Sequence, residues 1–280
     1  MTLSEKGHAP PLALITGGSS GIGLAIAEQL AAKGFSLGLI ARRQDRLDQA
    51  VEHCRKACRS ESQLITGFSA DLTQNSAIQS VAVEAETLFG KAPDWLILNA
   101  GIAQAREFEN SPDSLFRKMM ETNYFGSLYP LQNFLPKMQR GARVIFVCSG
   151  AGISGLYGYS AYGASKFAQR GLAESLRMEL KPRGISVTLA YPPDTDTPQL
   201  AEENKDKPEV TKALTAQAGV WKPGEVAKRI IRNAQRRRFL VVPGMISKLF
   251  YGLHADGGWF LRWYMDLAVR RALRKKASKR

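Results

Sequence analysis

The strongest constraint in this chain is a glycine-rich turn between an apolar run and an amphipathic stretch. Residues Leu12–Thr16 are apolar and β-rich, T-G-G-S-S-G-I-G follows from Thr16 to Gly23, and a helical repeat continues to Lys33. Glycines let a backbone approach a phosphate closely, and a helix N-terminus offers free N–H groups and positive dipole charge. The sequence therefore predicts a dinucleotide-binding turn, although its spacing is T-G-x-x-x-G-x-G rather than G-x-G-x-x-G. A tight strand-to-helix connection without a ligand is the alternative.

The turn opens a regular alternation of short apolar runs and longer amphipathic stretches. The predicted strands are Leu12–Thr16, Ser36–Ala41, Gln63–Ser69, Trp95–Leu98, Arg143–Cys148, Ile185–Tyr191 and Phe239–Val242. The predicted helices are Ile22–Lys33, Asp45–Ala57, Ser76–Phe89, Pro112–Met138 with a break near Pro130, Ala161–Lys181 and Pro223–Gln235. Apolar strands alternating with helices indicate an α/β fold, a Rossmann-type doubly wound and mostly parallel seven-stranded sheet with helices on both faces. We expect residues 1–242 to form one domain, in which the polar excursion at about 196–220 is a substrate lid.

Basic residues lie at the end of the second predicted strand. A carboxylate at this place would accept hydrogen bonds from the adenosine ribose hydroxyls and so favour NAD. Arg42 and Arg43 end that strand, and Arg46 lies one turn further on. Guanidinium groups suit a 2′-phosphate, so the sequence predicts NADPH rather than NADH. A solvated, basic helix start is the alternative, but basic charge at a helix N-terminus is mildly unfavourable.

A tyrosine and a lysine four residues apart, Tyr162 and Lys166, lie early in a predicted helix. Side chains at that spacing share a helix face, and an ammonium lowers the pKa of a nearby phenol, which makes it a usable proton donor. Ser149 ends a strand thirteen residues earlier, Asn99-Ala100-Gly101 ends another, and Asn123 lies midway along the long helix. With the glycine turn, Asp71 and a proline turn after the sixth strand, these motifs resemble the short-chain dehydrogenase/reductase family over about residues 10–242.

That resemblance implies the roles of individual residues. The catalytic tetrad would be Asn123, Ser149, Tyr162 and Lys166: Ser149 would hold a carbonyl oxygen, Tyr162 would protonate it, Lys166 would lower the tyrosine pKa and reach the nicotinamide ribose, and Asn123 would hold a water linking Lys166 to solvent. The implied cofactor-binding residues are Gly17, Ser19, Ser20, Gly21, Ile22, Gly23, Arg42, Arg43, Arg46, Asp71 near the adenine, Leu72, Asn99, Ala100, Gly101, Tyr162, Lys166, Pro192, Thr195 and Thr197. The chain departs from the family at Pro193, which stands where a glycine is usual and cannot take a positive φ.

Within this family, three segments of the chain most resemble the 3-ketodihydrosphingosine reductases, which reduce a long-chain amino ketone with NADPH. These segments are Y-P-P-D-T-D-T-P from Tyr191, K-P-G-E-V-A from Lys222 and the run from Ser149 to Tyr162. Four acids, Asp194, Asp196, Glu202 and Glu203, lie on the proposed lid edge and are candidates to meet the ammonium of such a sphingoid substrate. A reductase of a 3-oxoacyl thioester, steroid or retinoid remains an alternative, as does a non-catalytic NADP-sensing module. The intact Ser/Tyr/Lys/Asn set argues against the sensor.

The C-terminal end carries nearly all the net charge. From Trp221 onward there are 16 Lys and Arg against 3 Asp and Glu, while the rest of the chain is close to neutral. Residues 243–280 combine an aromatic series, with Trp259, Trp263 and Leu267 at helical spacing, and seven basic residues among the last eleven. This pattern is typical of an amphipathic helix on an anionic membrane surface. A helix packed on a dimer partner is the main alternative, and nucleic acid is not expected because the aromatic residues cluster.

Other features indicate where the protein acts. No run of about 18 apolar residues occurs, so we expect no spanning helix and a cytoplasmic enzyme, a homodimer or homotetramer, held peripherally at a membrane. Three cysteines, Cys54, Cys58 and Cys148, show no metal-binding spacing and indicate ordinary thiols in a reducing compartment, with no metal site.

Overall fold

The structure is a computed structural model that describes residues 9–216, 219–244 and 267. Seven strands are present in this part of the chain: β1 (Leu12–Thr16), β2 (Ser36–Ala41), β3 (Ile65–Ser69), β4 (Trp95–Leu98), β5 (Arg143–Val147), β6 (Ser186–Ala190) and β7 (Leu240–Val241). Nine α-helices accompany them: α1 (Gly21–Ala31), α2 (Gln44–Lys56), α3 (Asn75–Phe89), α4 (Asp113–Met119), α5 (Gly126–Phe134), α6 (Ser160–Glu179), α7 (Pro198–Asp206), α8 (Glu209–Thr215) and α9 (Pro223–Gln235).

The strands form one sheet in the order β3-β2-β1-β4-β5-β6-β7, and every neighbouring pair is parallel. The order reverses beside β1, which lies between β2 and β4. In open parallel sheets, ligands bind beyond the carboxyl ends of the strands at such a reversal. The doubly wound α/β fold expected from the alternation is therefore confirmed, with a fully parallel sheet.

The sheet separates two apolar cores because successive side chains of a strand point to opposite faces. Leu12 and Leu14 of β1 join the core beneath α3, α5 and α6, whereas Ala13 and Ile15 join the core beneath α1, α2 and α9. All five β1 residues are buried, as a strand covered on both faces requires. Burial on both faces explains why β1 reads as a continuous apolar run.

The boundaries of most elements agree with the sequence to within one or two residues, and one difference has a clear cause. Strand β3 begins at Ile65 rather than Gln63 because the Gln63 amide fixes the preceding turn. Its Nε2 donates to the carbonyls of Ala31 (2.8 Å) and Phe35 (2.9 Å), and its Oε1 accepts the Arg59 N–H at 2.7 Å. Gln63 therefore belongs to the turn that precedes β3 and not to the strand itself.

The long helix predicted over Pro112–Met138 is divided, but the predicted break at Pro130 is wrong. The division is a π-helical turn at Met120–Phe125, and α5 continues through Pro130 to Phe134. A proline displaces the carbonyl four residues before it, here that of Gly126, the first residue of α5 after the irregular turn. Within this irregular stretch the Ser127 hydroxyl donates to the Asn123 carbonyl at 2.9 Å, four residues earlier.

The excursion at 196–220 contains two helices that the sequence analysis did not predict, α7 and α8. Thr197 caps α7 by accepting the Leu200 N–H at 3.2 Å, and Pro198 occupies the first helical position. Apart from residues 243, 244 and 267, the predicted C-terminal amphipathic segment lies outside the described residues. Across the described ranges, no helix has the length and apolar character needed to cross a membrane.

Substitution of a buried and an exposed phenylalanine tests how much the core beneath α3, α5 and α6 contributes to stability. Phe146 of β5 is fully buried there, whereas Phe108 is 71% exposed. We expect Phe146→Ala to lower the free energy of unfolding by about 3–5 kcal/mol, because it removes buried contacts and leaves a cavity. The matched change Phe108→Ala should cost less than about 1 kcal/mol. Denaturant unfolding measures both, and equal losses would contradict this assignment of the core.

Candidate active site

The glycine turn joins β1 to α1 in a backbone shape that needs glycine. Gly17 and Gly21 have φ of +64° and +56°, and a Cβ on Gly23 would lie 2.2 Å from the Gly17 carbonyl oxygen. Ser20, at the N-cap of α1, makes no side-chain capping bond. The Ser20 side chain therefore does not occupy the first N–H groups of α1, and the glycines let a pyrophosphate approach them closely.

The Thr16 hydroxyl and the Asn99 amide support the turn from beneath. Thr16 Oγ1 accepts the N–H groups of Asn99 (3.0 Å) and Ala100 (3.1 Å) and donates to the Ile97 carbonyl at 3.3 Å. Asn99 Nδ2 donates to the carbonyls of Thr16 and Gly17, each at 3.2 Å. Asn99 thus joins the end of β4 to the turn after β1.

Three arginines lie where the sequence predicts a 2′-phosphate. Arg42 and Arg43 follow β2, Arg46 is in the first turn of α2, and all three are exposed. Among the described residues, none of them takes part in an ion pair, so their charge is available to a phosphate. Asp71 lies after β3, where its Oδ1 accepts the N–H and hydroxyl of Thr73, each at 2.9 Å, and Leu72 beside it is buried.

Ser149, Tyr162 and Lys166 meet beyond the carboxyl end of β5. Ser149 follows Cys148 at the end of that strand, and its Oγ accepts the Ala151 N–H at 3.3 Å. Tyr162 and Lys166 lie one turn apart near the start of α6, with Lys166 Nζ 5.8 Å from the centre of the Tyr162 ring. Tyr162 and Lys166 are 7% and 3% exposed. The structure thus brings together the three side chains that the sequence assigns to proton transfer.

Burial sets the pKa values of this pair. Desolvation raises the pKa of Tyr162 above its usual value, a hydrogen bond with Ser149 lowers it, and the negative charges of Glu203 and Asp194 raise it further. Desolvation lowers the pKa of the Lys166 ammonium. In the protein alone the phenol is therefore firmly protonated, the form in which a tyrosine donates a proton.

Asn123 lies in the π turn and binds to two elements through its side chain. Its Oδ1 accepts the Ile102 N–H at 2.8 Å, and its Nδ2 donates to the Ile102 carbonyl at 3.0 Å and to Ser165 Oγ of α6 at 2.8 Å. A Cβ on Gly101 would lie 3.0 Å from Asn123 Oδ1 and 3.3 Å from Lys166 Nζ. Asn123 therefore fixes the loop after β4 against α6, close to Lys166.

The segment after β6 lies over the glycine turn. A Cβ on Gly21 would be 2.9 Å from Thr197 Cγ2, which places Thr197 against the turn. Thr195 is buried; its Oγ1 donates to the Pro193 carbonyl at 2.8 Å, and its backbone pairs with Trp221. Pro193 thus sits in a tied loop in which its carbonyl is used, and its lack of a positive φ is compatible with the fold.

Two of the four acids on the lid edge face the site. The Tyr159 hydroxyl donates to Glu203 Oε1, and Tyr159 packs 5.3 Å from the ring of Tyr162. Lys207 is almost fully buried, with Nζ 2.9 Å from Glu203 Oε1 and 3.5 Å from Asp194 Oδ2, without hydrogen-bond geometry. Asp196 and Glu202, by contrast, are exposed. Tyr159 and Glu203 gave no sequence signal of this cluster, because residues 44 apart meet only through the fold. Glu203 and Lys207, by contrast, are four residues apart.

Known proteins resemble this chain in sequence and in fold. The family model described as short chain dehydrogenase matches residues 11–208. A 3-ketodihydrosphingosine reductase of Mus musculus is 42% identical over 260 residues, covering 90% of this chain and 78% of that protein. A 3-dehydrosphinganine reductase of Danio rerio is 44% identical over 247 residues, covering 86% and 74%. The solved structure of a short chain dehydrogenase/reductase from Burkholderia phymatum in complex with NAD, 23% identical, superposes with a TM-score of 0.79 over 90% of this chain and 95% of that one; it supports the fold alone.

The exposed arginines after β2 give a direct test of cofactor choice. We expect Arg42→Ala to weaken NADPH binding about ten- to hundredfold, since a hydrogen bond to a charged group contributes roughly 1.5–3 kcal/mol. NADH, which lacks the 2′-phosphate, should bind Arg42→Ala as it binds the unaltered protein. Fluorescence titration with each cofactor measures the two constants, and equal losses for both would contradict a phosphate contact.

Proposed function

The chain belongs to the short-chain dehydrogenase family, and we propose from this premise that it reduces 3-ketodihydrosphingosine to dihydrosphingosine with NADPH, a step of sphingolipid biosynthesis. The observation that carries the proposal is the meeting of Ser149 with the buried Tyr162 and Lys166, in a chain that matches reductases of this name over most of its length. A binding module that only senses NADP has no need of a buried proton donor.

The residues around the turn fit a nicotinamide dinucleotide phosphate. The α1 N-terminus and the glycines would hold the pyrophosphate, the arginines after β2 the 2′-phosphate, and Lys166 the nicotinamide ribose. Asp71, Leu72, the Asn99–Gly101 loop and Pro192–Thr197 would line the rest of the cleft. When bound, the nicotinamide supplies the hydride that reduces the carbonyl carbon.

The side chains of this protein supply the proton and hold the oxygen. Ser149 donates a hydrogen bond to the carbonyl oxygen and orients it, and Tyr162 gives its phenolic proton to that oxygen as negative charge develops there. Lys166 then stabilises the phenolate, which burial alone strongly disfavours. The product is a secondary alcohol, and the tyrosine recovers its proton from solvent.

The charge of the lid supports an amino ketone over the other candidate substrates. Asp194 and Glu203 carry two negative charges against one positive charge on Lys207, so the cluster has a surplus of one negative charge. This surplus raises the pKa of Tyr162 and opposes formation of its phenolate. A substrate ammonium next to the reacting carbonyl would neutralise it. Steroid and retinoid ketones bring no such cation.

Substrate profiling tests the proposed function. We expect purified protein to oxidise NADPH with 3-ketodihydrosphingosine and to turn over an acetoacetyl thioester far more slowly. Tyr162→Phe, which removes only the proton donor, should retain less than a few per cent of the rate while binding NADPH normally. Preference for the thioester, or an active Tyr162→Phe enzyme, would refute the substrate or the mechanism respectively.

Neighbouring glutamates on α7 provide a matched pair for the ammonium contact. Glu203→Gln should raise KM for 3-ketodihydrosphingosine about tenfold or more, and raise it less for a long-chain ketone without the amine. Glu202→Gln removes the same charge from an exposed side chain paired with Lys205, so it should change neither value. Steady-state kinetics measure the four constants; equal effects of Glu203→Gln on both ketones would remove the case for an ammonium contact.

We also propose that residues 243–280 hold the enzyme on anionic membranes, where a long-chain substrate resides. The support is sequence alone: the concentration of positive charge after Trp221 and the aromatic series at 259–264. Each basic residue near an anionic surface contributes about 1 kcal/mol, and salt screens this attraction. The aromatic face adds a contribution that salt does not weaken.

Vesicle cosedimentation tests the membrane proposal with the intact chain and a chain cut after Pro243. Binding of the intact chain should rise with anionic lipid content and fall as salt is added, and the cut chain should bind weakly. Light scattering of both chains reports the oligomer. If the cut breaks an oligomer and vesicle binding of the intact chain is absent, the segment is a packing element instead.

A further inference from the structure

A chain of buried side-chain hydrogen bonds connects Lys166 to the backbone of the π turn. Lys166 Nζ donates to Gln169 Oε1 at 3.2 Å, Gln169 Nε2 donates to Ser127 Oγ at 2.8 Å, and Ser127 Oγ donates to the Asn123 carbonyl at 2.9 Å. Gln169 is fully buried, Ser127 is 1% exposed and Lys166 is 3% exposed. These bonds form a direct connection between Lys166 and the π turn, beside the water at Asn123 that the family resemblance implies.

The amide of Gln169 lies at a position where an apolar residue would meet the helical pattern of α6. A buried amide lowers stability unless its groups are bonded, and here both ends of the amide are used, one by a charged partner. An apolar side chain of similar size would pack there without that requirement. The amide therefore has a function that packing does not explain.

Lys166 is a buried ammonium that needs a hydrogen-bond acceptor. Desolvation lowers the pKa of this ammonium, and among the described residues no carboxylate pairs with it. The titratable groups that face it are the Tyr162 ring on α6 and Cys148 at the end of β5, whose Sγ donates to the Lys166 carbonyl at 3.5 Å. Neither is an anion at neutral pH. Among the described residues, the side-chain atom that accepts a hydrogen bond from the ammonium is Gln169 Oε1.

We propose that Gln169, itself oriented by Ser127, is a positioning residue that keeps Lys166 charged and in place for the reaction. The Asn123 carbonyl orients the Ser127 hydroxyl, the hydroxyl orients the Gln169 amide, and the amide oxygen faces the ammonium. Because Asn123 belongs to the π turn, these hydrogen bonds connect the irregular helix to the lysine. The inference rests on the reductase chemistry of the proposed function and not on the identity of the ketone.

The experiment compares pH profiles of four proteins: unaltered, Gln169→Leu, Gln169→Glu and Ala173→Gly. Gln169→Leu removes the acceptor, so Lys166 should lose its proton at lower pH, and the basic limb of kcat/KM should move down by about one pH unit or more. Gln169→Glu keeps an acceptor and should restore the limb or move it up. Ala173→Gly, one turn along α6 in the core, should lower activity at every pH without moving the limb.

NADPH binding, followed by fluorescence across the same pH range, is the second measurement. Lys166 is expected to bind the ribose, so weaker NADPH binding should appear at lower pH in Gln169→Leu. This measurement needs no ketone: if no turnover of 3-ketodihydrosphingosine occurs, the proposed function fails while the role of Gln169 is still decided.

Three results would overturn the inference. They are a basic limb unmoved by Gln169→Leu, a limb moved equally by Ala173→Gly, and no restoration by Gln169→Glu. If Gln169→Leu does not fold, Ser127→Ala decides in its place, because it leaves Gln169 present but unoriented. A smaller downward shift in Ser127→Ala then supports the role, and an unmoved limb rejects it.

Discussion

All seven strands of the sheet run in the same direction, and this constraint places the whole site. The carboxyl ends of β1, β2, β4, β5 and β6 lie on one edge, so residues far apart in sequence arrive there together. The glycine turn, the arginines, Asn99, Ser149 and the proline segment each follow a different strand. Two apolar cores cover the faces of the sheet and hold it in place. Changes in the loops at its edge can therefore alter the site without disturbing these cores.

The interior beside this edge is unusually polar for a protein core. Thr16, Asn123, Ser127, Ser165, Lys166, Gln169 and Thr211 are all at most 3% exposed. Each takes part in at least one hydrogen bond to backbone or side chain, so their desolvation is offset. In such a network the loss of one member leaves partners unsatisfied, and the effects of its members will not add.

Sequence reasoning predicted the fold class, the seven strands and a site at the sheet edge, because these depend on local patterns. The apolar run of β1 and the Y-x-x-x-K spacing are both local. The proline at 130 predicted a break that does not occur there, because the helix is divided by the π turn at 120–125 and not by a missing N–H. Helices α7 and α8 escaped prediction because their sequences are charged and bounded by prolines, and their buried contacts, such as Glu203 with Tyr159, come from the fold. Gln169 gave no signal in the sequence because Ser127, to which its amide connects, lies on another helix.

The π turn also shifts the angular positions of side chains around the helix axis between α4 and α5. A π turn accommodates one more residue than an α-helical turn, and each residue of an α-helix advances about 100° around the axis. The repeats of α4 and α5 are therefore out of phase, although the two helices follow one another directly. Leu115 and Met119 face one apolar cluster, while Leu131 and Phe134 face another. One continuous helical rod thus serves two surfaces, covering the loop region beside the tyrosine with one end and the sheet with the other.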